Sequence, residues 1–412
     1  MAVLTQEYKT ANKIKYLILK RRKNMKNFEF VNPTKILFGK GMIEKIGSEI
    51  ASNNIKKVLL HYGKSSIFKN GVYQQVTDSL NKNGIEWIEL GGVKPNPVLT
   101  KVQKGIDLCK NEKLEAVLAV GGGSVIDSAK AIAAGVLFDG NIWDAFEGKK
   151  KATRGIPIFT VLTLSATASE MNAFAVITKE DEKKKWAFSA GYDSFPRVTV
   201  IDPTVQMTLP VEQTINGAVD TMSHVFELYF DGTKNTDIQD EIAEGILRTT
   251  MKHVRILLAN PDNYESRANL AWSATLALNG INGAGRSWGD WSTHTLEHSL
   301  SAFYDIAHGA GLSIMFPAWM KYVYKNDILK FAKLGRNVFD LDGDEANVAL
   351  RTIDKVKEFF DEIGTPTSLK QINVTEKDLD KLTDNASLRA PIGNLVKLYR
   401  DDIKRIYELA LI

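Results

Sequence analysis

Cysteine is nearly missing from this chain: among 412 residues, Cys109 is the one thiol. No intrachain disulfide can form, so a reducing cytoplasm is the expected compartment. Beside Leu108 in a helical pattern, such a cysteine reads as a small core residue rather than a nucleophile. Long apolar runs are missing as well. The patch at residues 14–19 is broken by Lys15 and is too short to span a bilayer. Its basic flank, Lys20, Arg21, Arg22 and Lys23, comes after it, the reverse of a secretory signal. These absences argue against a membrane protein. A net charge of +4 is too small on this length to argue for nucleic acid. There is no internal repeat and no low-complexity linker. Two phosphate-binding fingerprints also fail. The glycine cluster at 121–123 does not continue as G-x-G-x-x-G, and Gly63-Lys64-Ser65, like the tail of a P-loop, has Val58 where the first glycine belongs.

What is present is a composition, 44% hydrophobic and 25% charged, that fits a soluble globular enzyme. The length exceeds what one core usually organises, so two domains are expected. Residues 1–24 read as a flexible basic extension, with Met25 as a candidate start. Over 25–209, β-branched runs at 35–38, 57–61, 85–90, 116–120, 156–162 and 198–201 alternate with amphipathic stretches at 42–51, 72–83, 98–111 and 125–136. That alternation predicts a parallel α/β sheet with helices on both faces. Beyond Pro210 the pattern turns 3.6-periodic, as at 239–258, 264–278 and 346–363. With no convincing strand there, 210–412 is expected to be all-helical.

Metal-binding chemistry concentrates in this second half. Asp220 and His224 lie four apart and so share one helix face. His294 and His298 repeat the spacing, and His308 follows ten residues later. On one straight helix His294 and His308 would be about 21 Å apart, against metal–ligand bonds of about 2 Å. The chain must turn between them, with His308 opening a new helix and Gly309 and Gly311 allowing close approach. Any one helical histidine is more often a hydrogen-bonded core residue. Three imidazoles and one carboxylate together make a mixed N/O set suited to Fe(II) or Zn(II). His61, ending a strand, and His253, among basic residues on an expected surface helix, are given no metal role.

The first half offers a cofactor site. The strand at 116–120 runs into Gly121, Gly122, Gly123 and Ser124 and then into the helix VIDSAKAIAAGV. Such a turn leaves N–H groups pointing outward, ready for a pyrophosphate, although any α/β protein can use a tight strand-to-helix turn. After the strand VLLH, the stretch containing Gly63, Lys64, Ser65 and Ser66 has no acid for a ribose 2′-hydroxyl. Lys64 and the serines could hold a 2′-phosphate, which favours NADP(H) over NAD(H). The hydroxyl-rich TLSATASE at 163–170 either lines the same crevice or caps the next element.

On these residues the chain resembles the iron-containing (group III) alcohol dehydrogenase family, in its butanol dehydrogenase branch. The likeness covers nearly everything from Met25 onward. It includes TKILFGKGMIEKIG, the VKPNP turn at 93–97, GGGSVIDSAK at 121–130, TLSATASE, and the aspartate-to-histidine set with its spacings. It implies a dehydroquinate synthase-like two-domain architecture, an α/β dinucleotide-binding domain followed by an all-α metal-binding domain. It further implies an NAD(P)- and divalent-metal-dependent alcohol dehydrogenase or aldehyde reductase, acting as a homodimer on small molecules. By the same resemblance Asp220, His224, His294 and His308 bind the metal, and His298 stands near the substrate. Gly122, Gly123 and Ser124 hold the pyrophosphate, with Asp127 on the same helix among the cofactor residues. Thr163, Ser165 and Thr167 border diphosphate and nicotinamide, and Lys185 approaches the ribose. Relatives in this branch often carry further glycines where this chain has Lys64 and Ser65.

The expected reaction is hydride transfer between NAD(P)H and a short aliphatic aldehyde such as butanal, with the metal polarising the carbonyl. His298 either relays a proton or only hydrogen-bonds near the metal. Trp288, Trp291, Phe303 and Tyr304 wall an apolar pocket or pack helices. A glycerol or polyol dehydrogenase is the nearer alternative. A lyase of the dehydroquinate synthase type would want many basic residues around the metal, and the segment offers only Arg286.

Overall fold

The computed structural model describes residues 23–412, so the extension expected at 1–24 falls almost wholly outside the described residues. In the first half, six strands form one parallel sheet. They are β1 (Lys35–Phe38), β2 (Lys57–Tyr62), β3 (Glu86–Leu90), β4 (Ala116–Gly122), β5 (Ile158–Leu164) and, after an inserted hairpin, β8 (Val198–Ile201). Their order across the sheet is β1-β8-β5-β4-β2-β3. Ala116 to Val120 are fully buried, as a central strand covered on both faces must be. Helices α1 (Ile46–Ser52), α2 (Val72–Lys82), α3 (Leu99–Asn111) and α4 (Gly123–Leu137) do the covering. Successive side chains feed opposite cores. Leu59, Val117 and Ala119 pack with Ile106 of α3 and Ile126 and Ile132 of α4. Val58, Leu60, Leu118 and Val120 pack with Ile46 and Ile50 of α1 and Val76 and Leu80 of α2.

One element carried no clear signal in the sequence: the antiparallel hairpin β6 (Ala175–Lys179) and β7 (Lys184–Phe188). Its turn and flanks are dense in Lys, Glu and Asp, which masks the short apolar alternation of its strands. The hairpin reaches the helical half, where Asn385 Nδ2 donates to the Lys183 carbonyl at 3.1 Å.

Past Pro210 the chain is helical through α5 (Val211–Tyr229), α6 (Asp237–Ala259), α7 (Tyr264–Ala277), α8 (Ser292–Tyr304), α9 (His308–Val323), α10 (Ile328–Phe339), α11 (Glu345–Glu362), α12 (Leu379–Ala386) and α13 (Arg400–Ala410). Their apolar faces share one core containing Phe226, Phe230, Phe316, Trp319 and Phe331. The expectation of no strand needs correction, because Thr233–Lys234 pairs in parallel with Lys23–Asn24. That ladder needs a partner from the start of the chain and so leaves no local pattern. Among the described residues, no helix is long and apolar enough to cross a membrane.

Candidate functional site

α5 presents Asp220 and His224 on one face, α8 presents His294 and His298, and α9 opens at His308. The chain reverses between α8 and α9 through Asp305, whose φ of +51° ends α8 in the left-handed region. Asp220 Oδ1 lies 3.6 Å from His224 Nε2 and 3.6 Å from His308 Nε2. The His294 ring stacks on His224 with centroids 5.1 Å apart and is 5.3 Å from His308. Two ligands of a tetrahedral metal with bonds of about 2.1 Å would lie about 3.4 Å apart. The spacing therefore suits a divalent cation. Asp220 Oδ1 and His294 Nε2 are buried with no hydrogen-bond partner among the described residues, an arrangement that is costly unless a group between them satisfies both.

Two carboxylates behind this set aim the rings. Glu227 Oε1 lies 2.8 Å from His294 Nδ1 and accepts its backbone N–H at 3.1 Å, while Oε2 accepts the Trp291 N–H at 2.5 Å. Glu297 Oε2 pairs with His308 Nδ1. Each pairing fixes the tautomer and leaves the Nε2 lone pair facing Asp220. Burial first, with its histidine neighbours adding to it, pulls His224 down to about 4 despite Asp220, so its imidazole is neutral. Neither glutamate was singled out in the sequence. Both hid in apolar helix segments, HVFELYF and HTLEHSL. Glu227 continues the Asp220 and His224 face at i+7, and Glu297 is i+3 from His294, a periodicity that would have found them.

The set opens on a cavity of about 380 Å³, lined on the helical side by His224, His294, His298 and His308 and on the sheet side by Ser124, Asp127 and Thr167. The start of α4 has no side-chain cap, so its first-turn N–H groups are free to bind an anion. A Cβ at Gly123 would lie 2.3 Å from Thr167 Oγ1; glycine alone lets the TLSATASE loop close on the helix. Asp127 Oδ1 accepts from Ser169 Oγ at 2.6 Å and Oδ2 from the Val176 N–H at 3.0 Å. Lys130, fully buried, donates to Ser169, Asn172 and the Phe174 carbonyl. Burial draws its ammonium down to about 8. Across the cleft, Asn96 of VKPNP donates to Asp305 at 3.1 Å, joining the two halves beside His308.

Residues 33–203 match the family described as iron-containing alcohol dehydrogenase, and 214–411 match the C-terminal part of the Fe-containing alcohol dehydrogenase family. The chain belongs to the iron-containing alcohol dehydrogenase family. It is 42% identical over 390 residues to NADH-dependent butanol dehydrogenase A of Clostridium acetobutylicum, covering 93% of this chain and 99% of that one. It is 37% identical over 396 residues to the NADPH-dependent aldehyde reductase YqhD of Escherichia coli, covering 94% and 100%. The crystal structure of NADH-dependent butanol dehydrogenase A from Thermotoga maritima matches with a TM-score of 0.93 at 52% identity, over 95% of this chain and 100% of that one.

In this iron-containing alcohol dehydrogenase, His298 lines the cavity with its ring 5.6 Å from His308 and 6.5 Å from His294. It groups with Glu297 and His308 rather than with Asp220. Burial first, and the Lys185 charge next, push it well below the usual histidine range. Lys185 is buried with Nζ 3.4 Å from Glu297 Oε2 and 3.5 Å from His308 Nδ1, on the helical side of the cleft. Ser165 is buried and its Oγ accepts from Gln206 at 2.9 Å, while Thr163 is half-buried on β5. Gly63 is half-buried, Lys64, Ser65 and Ser66 are exposed past the end of β2, and none of the four lines the cavity.

Other residues weighed in the sequence lie away from the metal set, some as expected and some not. His253 is not on the surface: it is 9% exposed and bonded to Ser266 Oγ at 3.0 Å. Trp288 is 64% exposed and does not wall the cavity. Phe303 and Tyr304 pack against the helical core. Arg286 is buried against Asp240 at 2.6 Å, away from the cavity lining. His61 is buried between the Leu90 carbonyl at 2.8 Å and Ser128 Oγ at 2.9 Å, fastening β2 to β3 and α4.

Proposed function

We propose that this chain reduces short aliphatic aldehydes such as butanal with NADPH, and oxidises the alcohols in reverse, with Fe(II) or Zn(II) held by Asp220, His224, His294 and His308. What supports the reading above all is one cleft lined by both the imidazole set and the uncapped start of α4. In the proposed division of labour the nucleotide-binding part ends near Leu209 and the metal-binding part begins at Pro210. The reading extends to a cytoplasmic homodimer.

When bound, the metal would supply Lewis acidity to the carbonyl oxygen and the nicotinamide would supply the hydride. The chain's own residues do the rest. Glu227 and Glu297 keep His294 and His308 in one tautomer. Gly122, Gly123 and Ser124, at the start of α4, would take the pyrophosphate, with Asp127 holding Ser169 in the opposing wall. Lys185 would meet the nicotinamide ribose from the helical side. His298, neutral and half-buried, can hold or return the proton of the hydroxyl. Phe174, Leu278 and Trp291, which line the cavity, would shield the reacting carbon from water.

Preference for NADPH rests on the turn after β2, where Lys64, Ser65 and Ser66 carry no carboxylate. The nearest acid on the next strand, Glu89, is occupied by the hydroxyls of Tyr62 at 2.7 Å and Tyr73 at 2.5 Å. Among the described residues, the Lys and Arg side chains lining the cavity are Lys185 and Arg389. Arg389 lies 3.9 Å over the Trp186 ring and donates to the Phe146 carbonyl at 2.6 Å. A polyanionic lyase substrate would find little to bind.

The direct test is butanal reduction by metal-reconstituted protein with NADPH and NADH side by side, repeated with chelator and with 1,2-diols. Chelator-sensitive turnover favouring NADPH is expected. A preference for NADH would reverse the cofactor assignment, and faster turnover of diols would move the substrate to polyols. Glu227→Gln, which weakens its acceptance of the His294 N–H, is expected to cost about 10–100-fold in metal affinity. Competition with a chromogenic chelator measures this, and unchanged affinity would remove Glu227 from that role.

A further inference from the structure

Trp291 adopts a backbone conformation that tryptophan seldom takes. It precedes α8 with φ +61° and ψ 7°, in the left-handed region where a bulky side chain is strained. Such strain survives only where the surroundings over-determine it, and here they do. Its N–H donates to Glu227 Oε2, the carboxylate that also holds His294. Its carbonyl accepts from Thr295 N–H and Oγ at 3.2 and 2.9 Å. The indole N–H donates to the Trp288 carbonyl. At Gly289 a Cβ would sit 2.6 Å from that indole nitrogen, so only glycine leaves the ring its place. Asp290 next to it accepts the backbone N–H groups of Asn394 and Leu395 at 2.6 and 2.7 Å, tying the loop to the C-terminal segment.

The ring held in this way lies edge-on to His294 at 5.0 Å between centroids and 6.2 Å from His224. It lines the cavity together with Leu278, Phe174 and Leu388. One loop thus turns Trp291 into the site and Trp288 out to solvent.

We infer that Trp291 limits the length and branching of the aldehyde chain accepted beside the metal set, an inference that rests on the aldehyde-reductase reading above. The indole is the largest apolar side chain, and both its backbone and its N–H are pinned. The space it leaves next to Leu278 and Phe174 is therefore set rather than adaptable. A short unbranched chain is expected to lie alongside the ring, and a long or α-branched one to require the ring to move, breaking its bond to the Trp288 carbonyl.

The test compares wild type, Trp291→Phe, Trp291→Ala and the outward-facing Trp288→Ala on butanal, octanal and 2-methylbutanal, with metal content determined for each. A methylene gained or lost in an apolar pocket changes kcat/KM by about 10-fold or more. The octanal-to-butanal ratio is expected to rise about 10-fold or more in Trp291→Ala, less in Trp291→Phe, and not at all in Trp288→Ala. A second readout needs no turnover: butanamide and octanamide are compared as thermal stabilisers. Butanamide alone should stabilise the wild type, and both should stabilise Trp291→Ala. Unchanged selectivity in both assays, in a variant that keeps its metal, overturns the inference. If Trp291→Ala loses metal, Trp291→Phe decides by the same criterion. A wild type that reduces no aldehyde, beside variants whose amide selectivity shifts, would leave the wall standing and remove the reaction reading.

Discussion

Asp220→Ala is expected to lose its metal and to reduce butanal at least about 100-fold more slowly than wild type, since Lewis-acid stabilisation of the developing alkoxide supplies several kcal/mol. The effect is large because of where the carboxylate stands. Its Oδ1 is 3.6 Å from both His224 Nε2 and His308 Nε2, the shared corner of the set, and the two acids behind the rings cannot take its place: Glu227 and Glu297 are already engaged by the far sides of His294 and His308. The stability of the metal-free protein should move the other way. Asp220 Oδ1 is buried without a hydrogen-bond partner among the described residues, and removing such a group relieves a desolvation cost. Elemental analysis, kcat/KM and thermal unfolding of the metal-free form separate the two effects. A variant that retained stoichiometric metal would take Asp220 out of the set. One that lost metal and also unfolded well below metal-free wild type would show that the carboxylate is structural.

Gly309→Ala is the second large effect, and it acts through the backbone. A Cβ there would lie 2.3 Å from the Asn216 carbonyl oxygen and 2.8 Å from the Asn216 carbonyl carbon and Cα. No rotamer change relieves contact with another helix's main chain, so α5 and α9 must move apart. Overpacking of this kind costs about 1–3 kcal/mol. The movement also reaches the site, because His308 is the neighbouring residue and Asp220 lies one helical turn from Asn216. Lower thermal stability together with weaker metal retention is the expected result. Gly245→Ala is the matched control, since among the described residues nothing beyond its chain neighbours and its own helix backbone lies within 4 Å of the added Cβ; within α6 it should stabilise the fold by about 0.4–1 kcal/mol. If both variants kept wild-type metal affinity, the α5–α9 approach would not be what holds the set together.

Much of this molecule was legible in local patterns. The parallel sheet followed from β-branched runs between amphipathic stretches, and the strand boundaries fall within two residues of expectation because both periodicities are short-range. The shared face of Asp220 and His224 and the reversal before His308 were legible for the same reason: helix pitch converts spacing into direction. The hairpin β6–β7 was not legible, since its strands answer to α4 and α8 rather than to a pattern of their own.

The sequence by itself determined the two-part architecture, the glycine turn opening α4, and which residues could converge on a metal. Only the tertiary structure decided what stands behind and around that set. Glu227 meets His294 across 67 positions and Lys185 meets Glu297 across 112. Trp291 faces the cavity with its N–H held by a distant glutamate, whereas Trp288, three residues earlier and also in the left-handed region, faces solvent. Pairings of this kind are selected by burial and complementary hydrogen bonding between separate elements, which leave no periodic trace along the chain.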